Sequence, residues 1–203
     1  MDKTRPLFPT LLKTVFLASS LLISAQAHSQ DAVAPTGNAS AEALKWSGDG
    51  LKVELQALTP DLTRAFFIGR GFPKKAVELL ANEACVFRSA IGHSSQNSAD
   101  PSVTIELKKW RVIKGAKAHG LRTREMWREI WKSRKLDQSA RTAFHWALIP
   151  TEQTYSVTDY NWGMLTFMEK PGTKFDLEIA WRVGNEPKTH IFKALQCGRD
   201  QSE

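Results

Sequence analysis

The chain has 203 residues, a formal net charge of +7 and 42% hydrophobic residues. This length suffices for one ordinary domain with a core of its own. Beyond a short apolar run near the N-terminus, no stretch approaches the roughly 20 apolar residues that a membrane-spanning helix needs. We therefore expect one folded domain and no transmembrane span.

The N-terminal residues have the pattern of a secretory signal peptide. Basic residues precede an apolar run from Val15 to Ala25, and a small-residue motif ends at Ala27. The run is too short to cross a bilayer as a helix. We predict a signal peptide over residues 1–27 and, from it, a periplasmic or secreted protein.

Two further regions follow the predicted signal peptide. Residues 28–44 are rich in Ala, Ser, Pro and Gly, which is typical of a flexible leader. Residues 45–203 form the predicted domain, which contains both cysteines, Cys85 and Cys197. In an exported chain such a pair is most simply a disulfide. It closes a loop of about 110 residues, for which the chain-entropy model gives about 4–5 kcal/mol of stabilisation.

Alternation of apolar and polar residues predicts β-strands through most of this domain. The most regular case is the segment KFDLEIAWRV, where five apolar residues alternate strictly with others. The full set of predicted strands is 51–58, 63–69, 84–91, 102–112, 161–168, 174–183 and 188–197. We expect the last three to be consecutive antiparallel strands.

Helix spacing is found in two segments, residues 74–82 and 123–136. Many short strands with few helices favour a mainly β fold. We predict an antiparallel immunoglobulin-like β-sandwich with one or two inserted helices, and an α+β fold as the fallback.

The stretch DYNWGM, residues 159–164, has two interpretations: the rim of an active site, or the entry to a β-strand. Alternation leaves both faces mostly apolar, with Trp162 and Met164 on one face and Leu165 and Phe167 on the other. A strand buried between two layers has this character. We interpret the stretch as the entry to such a strand.

Positive charge is concentrated between Lys108 and Lys135, where 11 basic residues stand against two acidic ones. We predict that this tryptophan-bearing segment binds an anionic partner, either a periplasmic or membrane-associated protein, a lipid head group or an acidic glycan. Part of the segment, residues 123–136, also has the spacing of an amphipathic helix docked on the sheet with a solvated basic face, and the two interpretations are not exclusive. Nucleic acid is not expected, because no nucleic-acid motif is present. The predicted contact residues are Lys108, Lys109, Trp110, Arg111, Lys114, Arg124, Trp127, Arg128 and Trp131.

Histidine and methionine residues support an alternative function, that of a copper-binding carrier or accessory protein. Imidazole and thioether groups suit copper. However, no two histidines stand at i, i+2 or i, i+4 spacing, and a lone histidine is more often an ordinary polar group. The predicted ligands are His28, His93, His145, Met164 and Met168.

Cleavage after Ala27 would make His28 the first residue of the mature chain. Its imidazole and α-amino group would then resemble the first half of the histidine brace of lytic polysaccharide monooxygenases and exported copper carriers, which are built on β-sandwiches. The residues that follow depart from that pattern because they do not read as a first strand. A cut after Ser29 would remove the histidine altogether.

The sequence therefore predicts an exported, non-enzymatic binding or assembly-accessory protein that needs no cofactor. The copper carrier is the alternative. A hydrolase has little support, because the chain contains no Gly-x-Ser-x-Gly motif.

Overall fold

The computed structural model describes residues 42–200, all of which belong to one compact unit. The predicted signal peptide and residues 28–41 of the predicted leader lie outside the described residues. The first strand begins at Leu44, the last residue of the predicted leader. Within residues 42–200, no helix combines the length and the apolar character that crossing a membrane requires.

Residues 42–200 form ten strands and four helices. The strands are β1 (Leu44–Gly48), β2 (Leu51–Ala57), β3 (Cys85–His93), β4 (Val103–Glu106), β5 (Arg111–Lys114), β6 (Lys117–Gly120), β7 (Glu152–Tyr155), β8 (Tyr160–Phe167), β9 (Lys174–Val183) and β10 (Glu186–Gln196). The helices are α1 (Pro60–Ile68), α2 (Lys74–Glu83), α3 (Arg124–Ser133) and α4 (Gln138–Ala147).

The strands form two antiparallel sheets. One has the order β1-β2-β3-β8. In the second sheet β9 is central, with β10 on one edge and β4 and β5 on the other; β7 extends the sheet beyond β4, and β6 extends it beyond β5. Strands account for 42% and helices for 26% of this part of the chain. The prediction of a mainly β fold is confirmed, and an immunoglobulin-like topology stays a prediction.

Two apolar cores lie on opposite faces of the four-stranded sheet. The alternating pattern of β2 and β9 buries Leu55 and Leu177 in one core, between the two sheets. The second core lies between the outer face of β3 and β8 and the four helices, with Val86 and Met164 among its residues. The helices are therefore held on one half of the outer face of this sheet.

Helix α1 replaces a predicted strand, so the strand prediction for residues 63–69 is wrong. The hydroxyl of Thr59 accepts a hydrogen bond from the Leu62 amide at 3.2 Å, and Pro60 occupies the first helical turn. Both are N-terminal helix signals that also occur in turns. Helix α4 is the second helix that the sequence analysis does not predict. Residues 42–200 therefore contain four α-helices and not one or two.

Two strand predictions are also corrected. The predicted strand 102–112 is interrupted by a 3₁₀ turn at Leu107–Lys109. The turn allows the Trp110 indole to enter the core, where its Nε1 donates to the carbonyl oxygen of Ala180 at 3.0 Å. Strand β8 pairs with β3 and not with β9, so the last three strands do not form one antiparallel run.

The disulfide between Cys85 and Cys197 is confirmed, with the two Cα atoms 5.4 Å apart. Cys85 begins β3 in the four-stranded sheet, and Cys197 directly follows β10 in the six-stranded sheet. The bond therefore ties the two sheets together at the buried edge of their shared core.

The stretch DYNWGM is only partly buried. In the second half of β8, Leu165 and Phe167 lie in the core between the sheets, and Met164 lies beneath the helices. In the first half, Tyr160 and Trp162 are each 62% exposed. The prediction that both faces are covered is right for the second half of the strand and wrong for the side chains before it.

Candidate functional site: a basic groove between two helices

Helices α3 and α4 pack against each other and against β8 through their apolar stripes. On α3 the stripe is formed by Trp127 and Trp131, whose stacked rings have centroids 4.9 Å apart. Phe144 of α4 packs edge-on against both rings. Burial of this stripe turns the charged residues of α3 away from the core.

The three tryptophans of the basic segment are therefore not contact residues. Trp110, Trp127 and Trp131 are 0% exposed. Their prediction as partner-binding residues is corrected, because burial of their large apolar area stabilises the two cores. Helix α3 is the amphipathic helix that the spacing of residues 123–136 predicts.

Trp127 also fixes the position of α3 on β8 by hydrogen bonds. Its indole Nε1 donates to the hydroxyl of Thr166 at 2.7 Å. That hydroxyl donates in turn to the backbone carbonyl of Arg122 at 2.8 Å. This buried chain of hydrogen bonds makes the placement of α3, and of the basic residues on it, specific.

A polar groove of about 420 Å³ opens between α3 and α4. Two of its nitrogen atoms, Nε of Arg141 and Nδ1 of His145, are buried and have no hydrogen-bond partner within the described residues. Buried polar atoms without partners are uncommon, and each costs about 1–3 kcal/mol unless another group binds it. The lining residues are Arg128, Gln138, Arg141, Thr142 and His145.

The groove carries uncompensated positive charge. Within residues 42–200, Arg141 has no carboxylate at ion-pair distance. Arg128 contacts Glu129 at 3.4 Å, but both side chains are more than half exposed, and such pairs contribute about 0–1 kcal/mol. Two guanidinium groups are thus available to an anion.

His145, which lines the groove, contributes an uncharged imidazole ring. Burial lowers its pKa, and the nearby guanidinium groups of Arg124 and Arg128 lower it further. The carboxylate of Glu125 acts in the opposite direction. The ring is therefore uncharged near neutral pH, and it can donate one hydrogen bond to an anion without adding a third charge.

Glu125, in the first turn of α3, is an ionised carboxylate near neutral pH. Burial disfavours its ionised form, but hydrogen bonds from the Thr151 hydroxyl, the backbone, Thr123 and Arg124 outweigh this effect and lower its pKa to about 2. Arg124 lies 3.2 Å from the Glu125 carboxylate and is compensated by it. The predicted contact residue Arg124 is therefore less available to a partner than Arg128.

An exposed tryptophan stands next to the groove. Trp146 of α4 is 74% exposed, and its ring meets that of His145 edge-on with centroids 5.6 Å apart. Trp146 also lines a second groove, together with Trp162 and Arg70. Exposed tryptophan and arginine are the residues most often found at energetically dominant contacts.

No family model, curated protein or solved structure matches this chain. Its function is therefore inferred from the residues of the groove and their surroundings.

The remaining predicted contact residues lie away from the α3–α4 groove, on β5 and the 3₁₀ turn. Lys109 pairs with Glu106 at 2.8 Å, and Lys114 pairs with the buried Glu169 at 3.0 Å. Lys108 and Arg111 are exposed and have no ion pair within the described residues. The basic segment is thus divided between two surfaces.

Among the predicted metal ligands within residues 42–200, His93 and the two methionines have the surroundings of ordinary buried or core residues. The ring nitrogens of His93 contact the Ser95 amide and the Pro101 carbonyl, each at 3.0 Å, as in an ordinary buried histidine. Met164 is buried in the helical core, and Met168 packs against the same core and also lines a groove beside the start of α3, so both have the surroundings of core residues. No group of three or more His, Cys, Asp or Glu residues able to hold a metal occurs in residues 42–200.

His28 lies outside the described residues, so the copper alternative stays a prediction. His145 was predicted as a ligand and is found instead among arginines, where a cation would be repelled.

Sequence reasoning missed Arg141 and Trp146. Both follow the basic segment in the chain, in a region that was not recognised as a helix. The signal that could have identified them is the helical spacing of Ala140, Phe144 and Ala147, which places Arg141 with His145 and leaves Trp146 outside the apolar stripe.

Proposed function

We propose that this protein is an exported, non-enzymatic binding or assembly-accessory protein that captures an anionic partner in the groove between α3 and α4. The observation that carries the proposal is the lining of the groove, which brings Arg128, Arg141 and His145 together and includes no acidic residue. Guanidinium groups without an internal counter-ion are suited to bind carboxylate or phosphate oxygens in bidentate geometry.

The surroundings of the groove support a macromolecular partner, such as a periplasmic or membrane-associated protein with an acidic surface. Trp146 offers a large exposed apolar face directly beside the charged groups. A partner that covers this ring would exclude water from the groove and strengthen the charged hydrogen bonds there.

Export is the second part of the proposal. It is supported by the signal-peptide pattern of residues 1–27 and by the Cys85–Cys197 disulfide. Structural disulfides persist in oxidising compartments such as the periplasm and are rare in the cytosol.

Binding of the full-length protein to immobilised poly-L-glutamate tests the anion-binding part. The variant Arg128→Glu with Arg141→Glu reverses the two cations of the groove. The matched control, Lys74→Glu with Lys75→Glu, makes the same change of net charge on the exposed first turn of α2, outside the groove lining. Circular dichroism and the thermal midpoint establish that both variants are folded.

We expect the groove variant to lose about 100-fold or more in affinity, because two charge-assisted contacts are replaced by repulsion. The control should lose about threefold or less, since distant charges act mainly through the screened long-range field. Equal losses in the two variants would mean that only net charge matters, and the proposal would then be wrong.

A further inference from the structure

The charges in the α3–α4 groove match a dianion more closely than a carboxylate. Arg128 and Arg141 together supply two positive charges, and the lining residues include no acid. A single carboxylate bound at Arg141 would leave Arg128 with only its weak, solvent-exposed contact to Glu129, whereas a dianion can bind both guanidinium groups.

The number of donors supports the same conclusion. Besides the two guanidinium groups, the groove presents the His145 ring, the Gln138 amide and the Thr142 hydroxyl. Each terminal oxygen of a phosphoryl group can accept two or three hydrogen bonds, so three such oxygens can use all of these donors. A carboxylate has two oxygens in one plane, so it offers fewer acceptor positions than the three tetrahedrally arranged oxygens of a phosphoryl group.

We propose that the groove is a binding site for a phosphate monoester, whose phosphoryl group contacts Arg128, Arg141 and His145 and whose organic group lies against Trp146. This inference rests on the proposed function, because it names the chemical group that the same site holds. The edge-on contact between the rings of His145 and Trp146 places an exposed aromatic face beside the donors. An aromatic or apolar ester group would cover that face.

Three small probes test the assignment at constant ionic strength in chloride: inorganic phosphate, phenyl phosphate and benzoate. Their affinities are measured by isothermal titration calorimetry on the full-length protein. The variants are Arg141→Gln, which removes a phosphoryl contact, and Trp146→Ala, which removes the aromatic face. Arg88→Gln serves as the matched control, because it removes an exposed guanidinium from β3, outside the groove lining.

Phenyl phosphate should bind about fivefold or more tightly than inorganic phosphate, and benzoate should bind more weakly than both. Arg141→Gln should weaken both phosphates by about tenfold or more. Trp146→Ala should abolish the difference between the two phosphates and leave inorganic phosphate unchanged. Arg88→Gln should change none of these affinities.

The proposal is overturned if benzoate binds as tightly as phenyl phosphate, or if Arg141→Gln remains folded and binds phosphate normally. If Arg141→Gln does not fold, Arg128→Gln replaces it under the same criteria, because that side chain is mostly exposed.

Failure of this inference can be told apart from failure of the proposed function. Loss of poly-L-glutamate binding in the groove variant, without preference for phosphate, would leave anion capture standing and reject the phosphoryl assignment. Specific phosphate binding with unchanged poly-L-glutamate binding would reject capture of an acidic protein. Co-sedimentation with phosphatidylcholine vesicles that contain phosphatidic acid supports a lipid as the source of the phosphoryl group, and its absence supports a soluble monoester.

Discussion

Replacing Thr166 by valine should destabilise the protein through a single hydroxyl group. That hydroxyl accepts a hydrogen bond from the Trp127 indole at 2.7 Å and donates one to the Arg122 carbonyl at 2.8 Å. Thr166 and Trp127 are 1% and 0% exposed, so water cannot replace the lost partner without opening the core. Valine has a similar shape, and the change therefore removes polar contacts without leaving a large cavity.

The magnitude follows from these two contacts. An orphaned buried indole N–H costs about 1–3 kcal/mol, and the lost hydrogen bond to the carbonyl costs about 0.5–1.5 kcal/mol. We expect the free energy of unfolding to fall by about 1.5–4.5 kcal/mol, which is a large part of the roughly 5–15 kcal/mol that stabilises a typical domain.

Urea denaturation followed by tryptophan fluorescence measures this loss. The control is Thr154→Val, because the Thr154 hydroxyl contacts only that of Thr104, at 2.9 Å, near the protein surface; it should cost about 1 kcal/mol or less. A double-mutant cycle with Trp127→Phe isolates the indole contact. A loss below about 0.5 kcal/mol in Thr166→Val, or no coupling in the cycle, would refute this account of how α3 is held on β8.

Two further predictions concern other parts of the same region. The pKa of Glu125 is lowered from 4.5 to about 2, so its contribution to stability is present above pH 4.5 and is lost as the pH falls towards 2. Because the side chain is 38% exposed, we discount the linkage value and expect wild type to exceed Glu125→Gln by about 1 kcal/mol at pH 7. Near pH 2 the wild type and Glu125→Gln should have the same free energy of unfolding in urea titrations. A stability difference as large at pH 2 as at pH 7 would contradict this account of Glu125. Gly163→Ala should destabilise by about 1–3 kcal/mol, because the added Cβ would lie 2.9 Å from the backbone nitrogen of Ile149. Gly120→Ala is the control, because no atom lies within 4 Å of the added Cβ. If the thermal midpoint of Gly120→Ala shifts as much as that of Gly163→Ala, the steric explanation is ruled out.

The elements that could be predicted are those with long, regular patterns. Strand β9 alternates strictly over ten residues, and the helical spacing of α2 and α3 is supported by apolar stripes. The disulfide was predictable because the chain has only two cysteines. In these cases local pattern and tertiary packing agree, which is why the prediction succeeds.

For short apolar runs, the sequence analysis predicts the wrong type of secondary structure. The segment of α1 is rich in aromatic and apolar residues, and periodicity alone cannot separate a short strand from a buried helix. Helix α4 carries small apolar residues at positions that face the core, so its stripe is weak in the sequence. As a result only Arg128 and His145 of the groove were singled out, His145 as a metal ligand, while Arg141 was missed.

The sequence by itself determined where positive charge concentrates, which cysteines pair and which strands alternate, because these properties depend on residue type and local spacing. Only the tertiary structure decided that Trp110, Trp127 and Trp131 are buried and that Trp146 is exposed. Spacing shows which side chains share a face of an element, but the element that covers that face comes from a distant part of the chain. The contact between α3 and α4 is of this kind, and it alone places Arg141 and His145 opposite Arg128.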